Sequence, residues 1–115
     1  FQAWTPQQIA ELITAVTGWN TSVMEIWLAA ERATDMARAF NAREGFGPDD
    51  DLIHPRLTQP LPEGPVAGKA FSMDEFKTAL ATYYSLMGWD PETAAPTRAK
   101  LEELGVGWVA DLLEA

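Results

Sequence analysis

Apolar residues recur at helical spacing over most of this chain. Ile9, Leu12, Ile13 and Val16 fall at i, i+3, i+4 and i+7, which predicts one buried stripe on a first helix. Thr5 is placed to cap that helix, Pro6 suits its first position, and Gln8 completes a capping box. Trp4 and Ile9 are spaced as a hydrophobic staple, and Gly18 supplies the stop. A second, longer helix opens at Ser22 with Glu25 and stops at Gly45. Val23, Ile26, Trp27, Ala30, Ala33, Ala37 and Phe40 form its expected core stripe, with Trp27 the largest contributor. Asp35 and Arg38, an i, i+3 pair, read as surface neighbours worth a few tenths of a kcal/mol.

Residues 46–71 break this rhythm. Pro48, Pro55, Pro60, Pro62 and Pro65 fall here with Gly47, Gly64 and Gly68 between them, which predicts an extended, wrapping connection. Such a length is ordered either by packing across the helices or by contacts in a neighbouring domain. Ser72 and Glu75 then open a third helix, with Phe71 and Phe76 as staple and Phe76, Leu80, Tyr83, Tyr84 and Met87 as stripe, ending at Gly88. Trp89-Asp90-Pro91 turns the chain, and Thr97 caps a short helix carrying Leu101 and Leu104 up to Gly105. Trp108, Val109, Leu112 and Leu113 predict a last short helix. The expected architecture is all-α: a single irregular helical domain over residues 1–115, with four to five helices and a long Pro-rich connection.

Composition narrows the function more than the fold. With 115 residues the chain suits one domain, and 47% hydrophobic content with five Trp and five Phe argues for a core rather than disorder. A net charge of −9 argues against nucleic acid or an anionic membrane as partner. No apolar run reaches the length of a membrane span. The absence of Cys removes disulfides, thiolate metal ligands and a thiol nucleophile. The chain opens on Phe1 rather than Met, as expected of a piece of something longer.

The candidate chemistry is thin. Asp49, Asp50 and Asp51 are hard-cation ligand types, but without the spacing, glycine and distal Glu of a calcium loop they read as a solvated acidic turn. His54 is the only histidine, which favours a packing or surface role over metal binding. Gly45, Gly47, Gly64 and Gly68 do not join a strand to a helix, so they form no phosphate loop. Tyr83, Tyr84, Trp89 and Trp27 are either pocket walls or core, and helical spacing favours core. The residues support no self-contained active site: no catalytic, cofactor-binding or metal-binding residue is assigned.

One combination is more specific. Glu31-Arg32, Arg38-Ala39-Phe40-Asn41-Ala42-Arg43-Glu44-Gly45-Phe46, Asp50-Asp51, Pro55-Arg56-Leu57 and Pro60-Leu61-Pro62-Glu63-Gly64-Pro65 follow in order, then Gly68. Tyr83-Tyr84, Gly88-Trp89-Asp90, Pro96-Thr97 and Lys100-Leu101-Glu102-Glu103-Leu104-Gly105 complete the series, with Thr17-Gly18-Trp19 near its start. This pattern resembles the C-terminal region of the tungsten-containing aldehyde ferredoxin oxidoreductases. Met87 departs from it, since Arg often precedes Gly-Trp-Asp in members.

The resemblance implies a cytoplasmic parent enzyme that oxidises an aldehyde to a carboxylic acid and passes the electrons to ferredoxin. Its tungsten (or molybdenum) is held by two pterin dithiolenes beside one [4Fe–4S] cluster, and the cluster cysteines and pterin-contacting motif lie upstream of the matched region. This segment then supplies scaffold and no cofactor ligand, and its partners are the remaining domains of the parent. Two alternatives stand beside it: the tungsten subunit of a benzoyl-CoA reductase, and a stand-alone helical interaction module. Under the first reading, apolar residues at Leu52, Ile53, Leu57, Leu61 and Val66, with Trp4 and Trp108, are expected at the surface, and the fragment is expected to self-associate through them. The bland alternative folds the connection over the second and third helices.

Overall fold

The computed structural model describes residues 4–113. Five α-helices appear in order: α1 (Pro6–Thr17), α2 (Val23–Arg43), α3 (Met73–Met87), α4 (Arg98–Glu103) and α5 (Trp108–Leu113). Two short 3-10 turns, Pro48–Asp50 and Pro55–Thr58, interrupt the connection between α2 and α3. Among the described residues there is no strand, only an isolated antiparallel bridge between Trp89 and Pro96. The fold is all-α, as the pattern predicts.

The helix starts follow from local chemistry. Thr5 Oγ1 accepts from the Gln8 amide at 3.2 Å while Gln8 Oε1 accepts from the Thr5 amide at 2.8 Å. Ser22 and Glu25 repeat the box at α2, Ser72 caps α3 through the Glu75 amide, and Thr97 caps α4 through Lys100. Gly18 and Gly88 end α1 and α3 in the left-handed conformation, which a side chain would strain.

Two clusters form the core. Ala39 of α2 packs with Leu101, Leu104, Val106, Val109 and Ala110, flanked by Leu28 and Leu113. Tyr84, Trp89 and Ala94 form the second, flanked by Leu80 and Met87.

The expected stripes of α1 and α2 are not where the chain buries itself. On α1 only Ala10 is buried, and Leu12 and Val16 lie at the surface. On α2 the expected stripe holds only at its start, where Val23 and Ile26 are half-buried, and fails beyond it. Leu28, Glu31, Arg32, Asp35, Arg38 and Ala39 face inward, while Ala30, Ala33, Ala37 and Phe40 are exposed and Trp27 is 61% accessible. The charged face goes in because Glu31, Arg32 and Arg38 find fixed partners there, which offset much of the cost of burying them. Counting apolar residues therefore picks the wrong side. Trp27 is not core, and neither is Tyr83.

The Pro-rich connection does not wrap the helices along its length. Its second half closes on itself: the Leu61 amide donates to Lys69 O, Gly68 to Leu61 O and Phe71 to Leu57 O. Leu52, Leu57, Leu61 and Val66 stay exposed, as do Trp4 and Trp108, while Ile53 is half-buried. The alternative in which this segment folds over the second and third helices and leaves nothing exposed is excluded.

The resulting body is thin and open, 54 × 42 × 20 Å with a radius of gyration of 18.6 Å. A compact chain of this length has a radius near 13 Å. Its accessible surface is 8663 Å², against about 6,200 Å² for a compact monomer of the same mass.

Candidate functional site

The inward face of α2 meets the turn after α3 and the start of the Pro-rich connection, and there the chain concentrates its polar contacts. Arg38 is the centre. Its Nη1 and Nη2 donate to Asp51 Oδ1 and Oδ2 at 3.0 and 2.6 Å, a two-pronged pairing, and its Nε donates to Ala94 O at 2.7 Å. The guanidinium also lies 5.0 Å from the Trp89 ring and 5.8 Å from the Tyr84 ring, within cation–π range. Tyr84 donates its hydroxyl to Asp51 Oδ2, and Trp89 Nε1 donates to Asp35 Oδ1 at 2.6 Å.

Local turns hold these groups in place. Asp90 Oδ1 accepts from the amides of Glu92 and Thr93 and from the Thr93 hydroxyl, which fixes the loop that presents Ala94 O to Arg38. Those amide and hydroxyl bonds hold the Asp90 carboxyl below its usual range. Ala94 is wholly buried at φ 55°, an uncommon backbone conformation for a residue with a side chain. A second tie runs along α4, where Lys100 Nζ reaches Glu31 at 2.5 Å and Glu103 at 3.3 Å, and Arg32 Nε donates to Leu104 O at 2.8 Å.

Electrostatics follow the pairing. Burial alone would raise the Asp51 carboxyl, but the hydrogen bonds from Arg38 and Tyr84 and the Arg38 charge outweigh it and hold the group below its usual range. Burial, the bond to Asp51 and the Asp51 charge together push Tyr84 up to about 12. Asp35 moves the other way: burial raises it, and the Trp89 bond only partly offsets this.

The earlier candidates sort cleanly. Asp51 leaves the solvated acidic turn expected of it and becomes the clamp's anion, because Arg38 lies opposite. Asp50 accepts from the Gly47 amide, and Asp49 is exposed. His54 is exposed and caps the second 3-10 turn, its Nδ1 accepting from the Arg56 amide. Asp35 and Arg38 do not pair with each other, because each is taken by a distant partner. Tyr83, Tyr84 and Trp89 line a groove of about 420 Å³ together with Arg38 and Asp51. Trp27 is not among its walls.

The groups of the clamp are engaged with one another. Every guanidinium nitrogen of Arg38 donates within it, and the Tyr84 hydroxyl, pushed up to about 12, donates to Asp51. Among the described residues no group of three or more His, Asp or Glu is arranged to hold a metal ion. Periodicity missed this cluster because it scores Arg38, Asp35 and Asp51 as surface. A sequence signal did exist, since Arg38, Asp51, Tyr84 and Trp89 all belong to the motif series read above.

Comparison with known proteins adds to this geometry. Residues 1–106 match the family model described as aldehyde ferredoxin oxidoreductase, domains 2 & 3. The tungsten-containing aldehyde ferredoxin oxidoreductase of Pyrococcus furiosus is 36% identical over 98 residues, covering 84% of this chain and 16% of that protein. The protein of the same description from Thermococcus kodakarensis is 35% identical over the same shares. The aliphatic sulfonate oxidoreductase, WOR-like subunit, of Pyrococcus furiosus is 45% identical over 58 residues, half of this chain and 9% of that one. The chain thus spans about a sixth of the length of the first two relatives.

Proposed function

Because the chain belongs to the aldehyde ferredoxin oxidoreductase family, we propose that it is the C-terminal helical scaffold of a tungsten enzyme that oxidises aldehydes to carboxylic acids and reduces ferredoxin. The observation that carries the scaffold part of this reading is the open body, with much of the apolar side of α2 turned outward. About 2,400 Å² of surface beyond that of a compact monomer is in the range of a large permanent interface. Ala30, Ala33, Ala37, Phe40 and Trp27 present the apolar side of α2 outward. The partner is the remaining body of the parent enzyme, and the clamp keeps α2 at the orientation that offers this face.

A pterin-bound tungsten and a [4Fe–4S] cluster would supply the redox chemistry. The residues here do not fit a cluster: the chain has no cysteine to ligate iron. The contribution we assign to it is position.

The test is anaerobic expression of the full-length parent with tungsten, assayed for aldehyde-dependent reduction of a viologen dye and then of ferredoxin. Activity with aldehydes supports the reading. A parent that turns over aliphatic sulfonates and not aldehydes would replace it with the second reading, which the 45% identity to the sulfonate oxidoreductase subunit favours. A gene product without cluster cysteines, inactive on both, would leave a helical interaction module.

A further inference from the structure

Among the described residues, Asp35 is the one wholly buried acid, and no basic side chain is hydrogen-bonded to it. Its side chain is wholly buried, Oδ1 accepts a single hydrogen bond, from the neutral indole of Trp89, and Oδ2 has no hydrogen-bond partner. Neither guanidinium one turn away on its own helix is bonded to it: Arg32 donates to Leu104 O. Arg38 has two nitrogens on Asp51 and the third on Ala94 O, so the clamp is already charge-balanced without Asp35. Of the remaining charges facing it, Lys100 of α4 attracts a charge on Asp35, but it is bound to Glu31 and Glu103, whose carboxylates repel that charge, and burial outweighs the attraction. A buried carboxylate with one neutral donor and a bare oxygen is a costly species, and such groups escape the cost by binding a proton.

We propose that Asp35 is a proton-holding latch: its carboxyl carries a proton while the turn from Trp89 to Pro96 is seated on α2, and release of that proton loosens the turn. The connection is short and direct. Trp89 is the residue that Asp35 holds, and five residues on the same turn presents Ala94 O to Arg38. Hydrating an ionised Asp35 means letting water into a site from which it is now sealed and which the Trp89 indole closes at Oδ1, so the seated indole is the contact that hydration would loosen. The clamp then loses one wall of its cation–π stack. This inference is independent of the family assignment.

The test uses the 115-residue chain and carbon-13 NMR of its aspartate carboxyls across a pH series, with amide and indole hydrogen exchange read in parallel. The expected result is an Asp35 carboxyl that titrates above the range of exposed aspartates. Over that same interval, exchange at the Trp89 indole and at residues 89–96 should rise several-fold beyond its intrinsic base dependence. Asp35→Asn keeps the shape and an acceptor for Trp89, so it should remain folded and lose the pH-dependent part of the exchange. Titration of Asp35 at or below the ordinary range would overturn the proposal, as would an unchanged exchange profile in Asp35→Asn. Should that variant fail to fold, the carboxyl titration of the unmodified chain decides alone.

Discussion

Arg38 and Asp51 are joined by two hydrogen bonds across thirteen residues, Nη1 to Oδ1 and Nη2 to Oδ2, and that pair ties α2 to the start of the Pro-rich connection. It is neither a surface ion pair nor a sealed one: the Arg38 side chain is 9% exposed and that of Asp51 28%. Removing one partner leaves the other poorly solvated. Arg38→Ala should therefore destabilise the chain by about 3 kcal/mol, near the lower end for broken buried pairs. Arg38→Lys should recover little, since an ammonium cannot make the two-pronged contact and hold Ala94 O as well. Thermal unfolding followed by circular dichroism checks both, and a melting curve for Arg38→Ala equal to the parent's would show the clamp to be idle.

The two faces of α2 predict opposite mutational costs. Leu101 is fully buried beside Ala39, so Leu101→Ala should cost roughly 2–5 kcal/mol. Trp27→Ala, at an exposed position of the isolated chain, should stay within about 0.5 kcal/mol. Urea denaturation of the two variants, compared by midpoint, separates the cases. A larger loss for Trp27→Ala would restore the apolar stripe as core.

Acid and alkali should each open the clamp, by different groups. Asp51 is held below its usual range in the fold, so its stabilisation is present above the ordinary aspartate pKa and is lost as pH falls through the lower folded value. Tyr84 is raised to about 12, so its stabilisation is present below about 10 and is lost as pH climbs from there to 12. Asp35, raised by burial, gives stability below the ordinary aspartate range that fades as pH rises through its folded value. Asp51→Asn should flatten the acid limb of a stability-against-pH curve, and Tyr84→Phe the alkaline limb. Limbs left intact in both variants would assign the pH response to other groups.

Gly88 should resist substitution for two separate reasons. It ends α3 at φ 69°, and a Cβ there would sit 3.1 Å from the Lys100 side chain that pairs with Glu31. Gly88→Ala should lose about 1 kcal/mol or more from backbone strain. Gly45→Ala, also at positive φ but with open space around it, shows the strain alone. Equal losses in the two would remove the Lys100 contact from the account.

Exposed Leu57, Leu61 and Phe40 give the isolated chain a reason to pair with itself. Sedimentation velocity across a concentration range should reveal association, and Leu57→Glu, Leu61→Glu and Phe40→Glu should reduce it without lowering the melting temperature. A strict monomer at high concentration would count against this.

The helix ends were legible, and so were the inward faces of α3 and α4, where Tyr84, Leu101 and Leu104 are buried as expected. The faces of α1 and α2 were not. Ser22, Ser72 and Thr97 cap where expected because a cap depends on neighbours three residues away, all visible in the sequence. Which side of α2 turns inward depends on Asp51, Trp89, Lys100 and Leu104, which lie far along the chain. Periodicity has no means of pairing Arg38 with a carboxylate thirteen positions on, and Asp51 looked like the end of an acidic run. The motif series did contain the clamp residues, without revealing that they touch. The Pro-rich segment was legible as non-helical, but its closure through the Leu61 and Phe71 amides rests on backbone bonds that carry no side-chain signature.

Arg32 grips α4 through the carbonyl of Leu104, a group that any residue at position 104 would bring. No exchange at 104 can then compensate a loss at 32 by chemistry, and none is needed to keep the pair while the backbone stays in place. Such a contact should leave no paired record in diverging sequences: position 32 needs a donor long enough to reach the carbonyl, while position 104 packs in the apolar core around it. Methods that find neighbours by correlated substitution should pass over this joint, although it is among the bonds that set the tilt of α2.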